Sequence, residues 1–153
     1  MAVKKNEILI GGAIIFKKTN SGYKYFLVRQ NDDGGWEIPK ITVRKAESSV
    51  RSVIRMTSEQ GNMRSRVLEE VGRLSATVKS NGKPINQRTI YYLMLAKSDS
   101  GESIGFNDVL WLDHAKALVK LDIKKEKEML KYAQKTIKEW ENRKKFRFSS
   151  PAS

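Results

Sequence analysis

The feature that most constrains the fold is a run of nine residues near the start, Ile8-Leu9-Ile10-Gly11-Gly12-Ala13-Ile14-Ile15-Phe16. It is almost wholly apolar and rich in β-branched side chains, so it predicts a buried strand. A polar turn, Lys17–Gly22, separates it from Tyr23-Lys24-Tyr25-Phe26-Leu27-Val28-Arg29. The two segments predict a hairpin built into a central sheet rather than an exposed arm. With 153 residues and 39% apolar content, the chain has enough material for one hydrophobic core.

Beyond the hairpin, Asn31-Asp32-Asp33-Gly34-Gly35 predicts a loop, and Trp36-Glu37-Ile38-Pro39 leads to a proline stop. From Glu47 the period changes: Val50, Val53, Ile54 and Thr57 recur at helical spacing. Ser48 or Ser49 is suited to cap this helix, and Gly61-Asn62 to end it. Val67–Lys79 predicts extended chain, with Gly72 and Gly82 as breaks, and Thr89–Ala96 a clear strand. A polar loop, Ser98–Glu102, then a short strand, Val109–Leu112, precede a short helix from His114 to Val119 capped by Asp113. The last long helix is expected from about Asp122 to Trp140, with Leu130, Ala133, Ile137 and Trp140 along one apolar stripe and lysines crowding the other face. Residues 1–140 are expected to form a single domain, and residues 141–153 a basic, flexible C-terminal tail.

Composition removes several kinds of chemistry. There is no cysteine and one histidine, His114, so disulfides and thiolate zinc sites are excluded, and histidine metal clusters and Ser-His triads are not expected. An oxygen-ligated ion such as Mg²⁺ needs only carboxylates, carbonyls and water, and stays open. No stretch has the length of a membrane span and the basic N-terminus lacks a cleavage pattern, so no membrane partner is expected and the location is expected to be the cytoplasm or another reducing compartment. The net charge of +13 favours polyanionic partners: nucleic acid, nucleotide polyphosphates or an acidic protein surface.

The order of hairpin, glycine-rich loop, Trp36-Glu37-Ile38-Pro39-Lys40, amphipathic helix, strands and terminal helices resembles the Nudix (MutT-like) superfamily. That family carries the box G-x5-E-x7-R-E-U-x-E-E-x-G-U. Counted without a gap, Glu47 matches its first glutamate, Arg55 its arginine, Met56 the glutamate of the R-E pair, Glu59 and Gln60 the E-E pair, and Asn62 the final glycine. A one-residue deletion would instead put Gly61 on the final glycine, with Ser58 and Glu59 on the E-E pair. Gly11-Gly12-Ala13, Leu68–Leu74, Tyr91–Ala96 and Trp111-Leu112 also fit, and the ending resembles relatives that hydrolyse dinucleoside polyphosphates.

The resemblance implies an α/β/α sandwich with a mixed β-sheet between helices. In either register only one of the three helix carboxylates that bind metal remains. Glu59 is the candidate catalytic acid if the chain is active, and Glu59, Glu47 and Gln60 are the residual metal ligands, with the Lys40 carbonyl and a loop acid such as Glu102 or Asp108 beside them. No cofactor is expected, and Mg²⁺ only if this residual site works. Glu47 and Arg55 are expected to keep the box's structural ion pair. Ile41, at the box glycine, is expected to change the loop.

Lys40, Arg51, Arg55, Arg64 and Arg66 are the candidate ligand-binding residues, a cationic cleft where the family has an acidic one. The resulting expectation is a degenerate Nudix-fold protein that binds nucleotide or RNA with little or no hydrolysis. The alternatives are a divergent Mg²⁺-dependent hydrolase of nucleoside diphosphate-linked compounds such as dinucleoside polyphosphates, and an interaction subunit of a protein assembly containing nucleic acid. Trp36, Trp111 and His114 are read as packing or surface residues rather than as chemistry.

Overall fold

The computed structural model describes residues 6–99 and 102–149. Six strands and three helices follow in the order β1 (Glu7–Thr19), β2 (Gly22–Arg29), β3 (Lys40–Thr42), α1 (Ser49–Glu59), β4 (Met63–Ser80), β5 (Lys83–Asp99), β6 (Asp108–Leu112), α2 (His114–Lys120) and α3 (Lys124–Ser149). The sheet runs β4-β5-β1-β2-β6, with β3 added to β1. It is mixed: β1 lies parallel to β5 and the other pairs are antiparallel. One edge of β1 is shared, its later residues pairing with β2 and Ile10–Gly12 with β3.

The near-continuous apolar strands have a physical reason: side chains alternate between faces, and both faces are covered. Ile14, Phe16, Tyr25, Leu27, Tyr91 and Leu93 join Leu130, Ala133 and Ile137 in one core layer beneath α2 and α3. Ala13, Ile15, Phe26, Val28 and Met94 join Val53 and Met56 in the other, beneath α1. The sheet is therefore sandwiched between helices, as expected.

Several boundaries differ from the expectation. β3 was not foreseen; Ile41 lies in it, paired with Gly11, and is not in the left-handed region, so the box-glycine position is ordinary extended chain here. The left-handed loop residue is instead Ala46, φ 66°. Gly72 does not end a strand but sits at a register shift within β4, and Gly82 shares a tight hairpin turn with Asn81, both at positive φ. An Asn-Gly pair between extended segments is a strong hairpin signal, and it carries β5 back to Lys83, six residues before the strand expected at Thr89. The last helix does not stop at Trp140 but continues to Ser149, because no glycine or proline interrupts the chain before Pro151. The expected N-terminal segment 1–5, part of the loop at 100–101 and the end of the tail at 150–153 lie outside the described residues. Among the described residues no helix is long and apolar enough to cross a membrane.

Candidate functional site

The residues matched to the box surround α1. Its N-cap is Ser48, whose side chain accepts from the Arg51 N–H. The helix lies close on β1 because Gly11 has no side chain: a Cβ there would come within 2.9 Å of Val53 Cγ1. Asn62, φ 50°, holds the left-handed position just past the helix, where glycine or asparagine is favoured, while Gly61 is not left-handed. Met63 follows, buried. This geometry agrees with the ungapped register, with Met56, Glu59 and Gln60 on the three acid positions.

Glu47 and Arg55 form a two-bond ion pair, Nε–Oε2 2.9 Å and Nη2–Oε1 3.0 Å. Glu47 Oε1 also accepts the Arg44 N–H at 3.0 Å, and Arg55 reaches the Thr42 carbonyl at 3.3 Å. The pair therefore ties the β3–α1 loop to the helix. The Arg55 guanidinium, then the Arg44 amide, pull the Glu47 carboxyl down from 4.5 to about 2. A depressed folded-state pKa adds stability above the unfolded value and loses it as pH falls toward the folded one. The pair is thus expected to contribute about 1–2 kcal/mol at neutral pH, lost between about pH 4.5 and 2. Arg55→Ala should remove that share of the pH dependence; the check is the thermal midpoint of both proteins from pH 7 to 2.

The remaining box positions do not assemble a carboxylate site. Met56 is fully buried in the apolar layer beneath α1. Thr57 is buried too, with its hydroxyl on the Ile54 carbonyl and within 2.8 Å of Ser65 Oγ. Glu59 is exposed, and Gln60 offers a neutral amide. The loop before β6 folds over this end: the Gly105 N–H donates to the Gln60 carbonyl at 3.1 Å, and a Cβ at Gly105 would come within 2.8 Å of Gln60 Cα. Asp108, expected as a distal ligand, accepts two hydrogen bonds from Arg29 at 2.8 and 3.0 Å. Glu102, the other expected loop acid, is exposed. Mg²⁺ in such a site is held by converging carboxylates; a buried thioether, a neutral amide, one exposed acid and one acid engaged by arginine do not fit that demand. Among the described residues no three His, Cys, Asp or Glu side chains gather into a metal-binding group.

The candidate cations do not share one cleft. Arg51 is exposed on α1, and Arg55 is held by Glu47. Arg64 is exposed at the start of β4. Arg66 lies across the sheet, beside Leu68, Leu95 and Trp140 of α3. The reason is the strand period: Met63 and Val67 face α1, so Arg66 faces away from it. Lys40 is drawn inward, with Nζ 2.6 Å from Glu126 Oε2, 2.9 Å from the Ile38 carbonyl and 3.1 Å from Glu37 Oε1. Two hydrogen bonds and an ion pair thus engage its ammonium.

Glu126 is the residue the sequence hid. It is fully buried near the start of α3, where the helix dipole favours negative charge. It accepts from the Ile38 N–H at 3.0 Å, from Lys40, and from the Tyr91 hydroxyl at 2.7 Å. Burial, then the charge of Glu126, push the Tyr91 phenol well above its usual range, so it stays a donor. These bonds clamp the Trp36–Lys40 segment between β5 and α3. Trp36 is half-buried, with the Arg29 guanidinium 5.0 Å from its ring; Trp111 packs on Phe26, and His114 on Tyr25.

The same architecture is found in solved structures with the Nudix fold. The chain is similar to a crystal structure of a C. elegans Ap4A hydrolase binary complex, with TM-score 0.69 and 19% identity over 85% of this chain and 97% of that one. The Nudix domain of Shewanella oneidensis NrtR complexed with ADP ribose gives 0.67 and 18% over 88% and 90%. The MutT protein from Methanosarcina mazei Go1 gives 0.64 and 17% over 90% and 99%. No family model matches the chain, and no curated protein sequence does. The likeness shows that the chain has the Nudix fold.

Proposed function

We propose that this protein is a Nudix-fold binding module for nucleotides or RNA with little or no hydrolase activity. The observation that carries the reading is Met56: where the box has the glutamate after its arginine, this chain has a side chain with no exposed surface, packed among apolar neighbours. The Glu47–Arg55 pair that holds loop to helix is present, and the acids that would neutralise charge at phosphorus are reduced to Glu59. Scaffold without ligands supports binding without hydrolysis.

Binding itself is supported by charge and by the neighbours. Arg51 stands exposed on α1, and a guanidinium holds phosphate oxygens directly, without a bridging metal. The structural neighbours include an Ap4A hydrolase in a binary complex and a Nudix domain holding ADP ribose. The test is calorimetric titration of the protein with ADP-ribose and with Ap4A, in Mg²⁺ and in EDTA. Binding should be the same in both buffers, weaken as salt rises, and fall about tenfold or more in Arg51→Ala, as loss of one charge-assisted contact dictates. Binding that needs Mg²⁺ would contradict the proposal and favour a divergent hydrolase using Glu59.

A further inference from the structure

A second cationic surface lies on the sheet face opposite α1. The start of β4, the end of β5 and the Thr136–Lys144 stretch of α3 enclose an open groove of about 680 Å³. Arg66, Lys97, Arg143 and Lys144 line it, together with Trp140. The placement follows from the strand ladder and the helical period. Arg66 is paired with Leu95 across the β4–β5 ladder, and Lys97, the residue the ladder skips opposite Arg64 and Ser65, lines the same groove. Trp140, Arg143 and Lys144 are three and four residues apart, on one side of α3.

The charge in this groove is poorly compensated. Its one acid, Glu69, stands 4.0 Å from Arg143, a loose contact for a guanidinium and a carboxylate. Four like charges brought together repel until an anion joins them. Trp140 adds an aromatic surface among them. Its ring is set edge-on against Phe16, centroids 6.4 Å apart at 79°, which fixes its orientation. The Lys144 ammonium, on an exposed side chain, lies 5.2 Å from the ring centroid. An acidic peptide would use the cations alone, whereas cations interleaved with a ring match phosphates joined to bases.

We propose that this groove binds single-stranded nucleic acid, with phosphates on Arg66, Lys97 and Arg143 and one base stacked on Trp140 in place of Lys144. The volume lies within the range of pockets that hold ligands of nucleotide size, and the groove is open, so a strand can continue beyond it. The site is separate from α1 and stands whether or not the α1 side hydrolyses anything.

The test is fluorescence anisotropy of a labelled 12-residue oligouridine with the full chain, from 50 to 200 mM salt. Arg66→Glu with Lys97→Glu, two exposed positions, should weaken binding at least tenfold. It should also lower the slope of log Kd against log salt by about 1.4, since each single-strand phosphate contact contributes about 0.7. Trp140→Leu should weaken binding between about 5-fold and 100-fold. Lys116→Glu with Lys120→Glu, the same charge change on exposed positions of α2, should stay within about threefold of wild type. Thermal melts of each variant establish that the fold is kept. Equal losses in the α2 and groove variants would overturn the proposal, because binding would then follow net charge alone. Wild-type affinity in the groove variant, or displacement of the RNA by an equal concentration of a 12-residue oligoglutamate, would overturn it as well.

Discussion

Met56→Glu is expected to lower stability by about 3–5 kcal/mol at pH 7, rather than restore a Nudix site. The substitution looks like a repair when only the box is compared. In the fold, however, the Met56 side chain is fully buried against Val53, Met63, Met94 and their neighbours beneath α1. A carboxylate there loses its hydration and meets no cation, a combination among the most costly single changes. Urea unfolding of the variant with and without Mg²⁺ measures the effect. A stable variant, or one that Mg²⁺ restores to wild-type stability, would mean that the position does open onto a metal site.

Glu126→Ala should be comparably severe, about 3–5 kcal/mol. It removes the acceptor for the Ile38 amide, the Tyr91 hydroxyl and the Lys40 ammonium at once, and leaves Lys40 with Glu37 and one carbonyl. The buried Ile38 amide and Tyr91 hydroxyl are then left without their acceptor, and Lys40 loses its closest carboxylate. Glu126→Gln keeps the shape and one acceptor, so it should recover part of the loss. Hydrogen exchange at the Ile38 amide is the local readout: protection should fall in both variants, most in alanine, while amides in β1 follow global stability. Unchanged protection at Ile38 would show that the Trp36–Lys40 segment is held by other contacts.

The parts of this molecule legible in its sequence are those governed by local rules. Alternation and β-branching mark β1 and β2, helical spacing marks α1, and Asp113 caps α2 by its side chain. The order of these elements is enough to recognise the Nudix fold. The unread parts depend on partners distant in sequence. β3 exists because Lys40–Thr42 finds the free edge of β1 beside Gly11 and Gly12. Lys40 resembles an exposed cation beside a helix until Glu126, 86 residues away, takes it inward. Glu126 itself stands in Lys124-Lys125-Glu126-Lys127-Glu128, where nothing distinguishes a buried acid from a solvated one. Arg64 and Arg66 stand near Arg51 in the chain, yet the strand period carries Arg66 to the opposite face, where it lines one groove with Trp140. The Asn81-Gly82 signal was present and local, and a turn-first reading of the chain finds the whole β4–β5 hairpin.

The central claim is that the fold holds phosphate compounds without cleaving them. Its most direct test is ³¹P NMR of Ap4A and of ADP-ribose, each incubated with stoichiometric protein and Mg²⁺, so that even one slow turnover per molecule is visible. The account predicts unchanged phosphorus signals apart from shifts due to binding. Conversion to mononucleotide products at ordinary enzyme rates, abolished by Glu59→Gln, would contradict it.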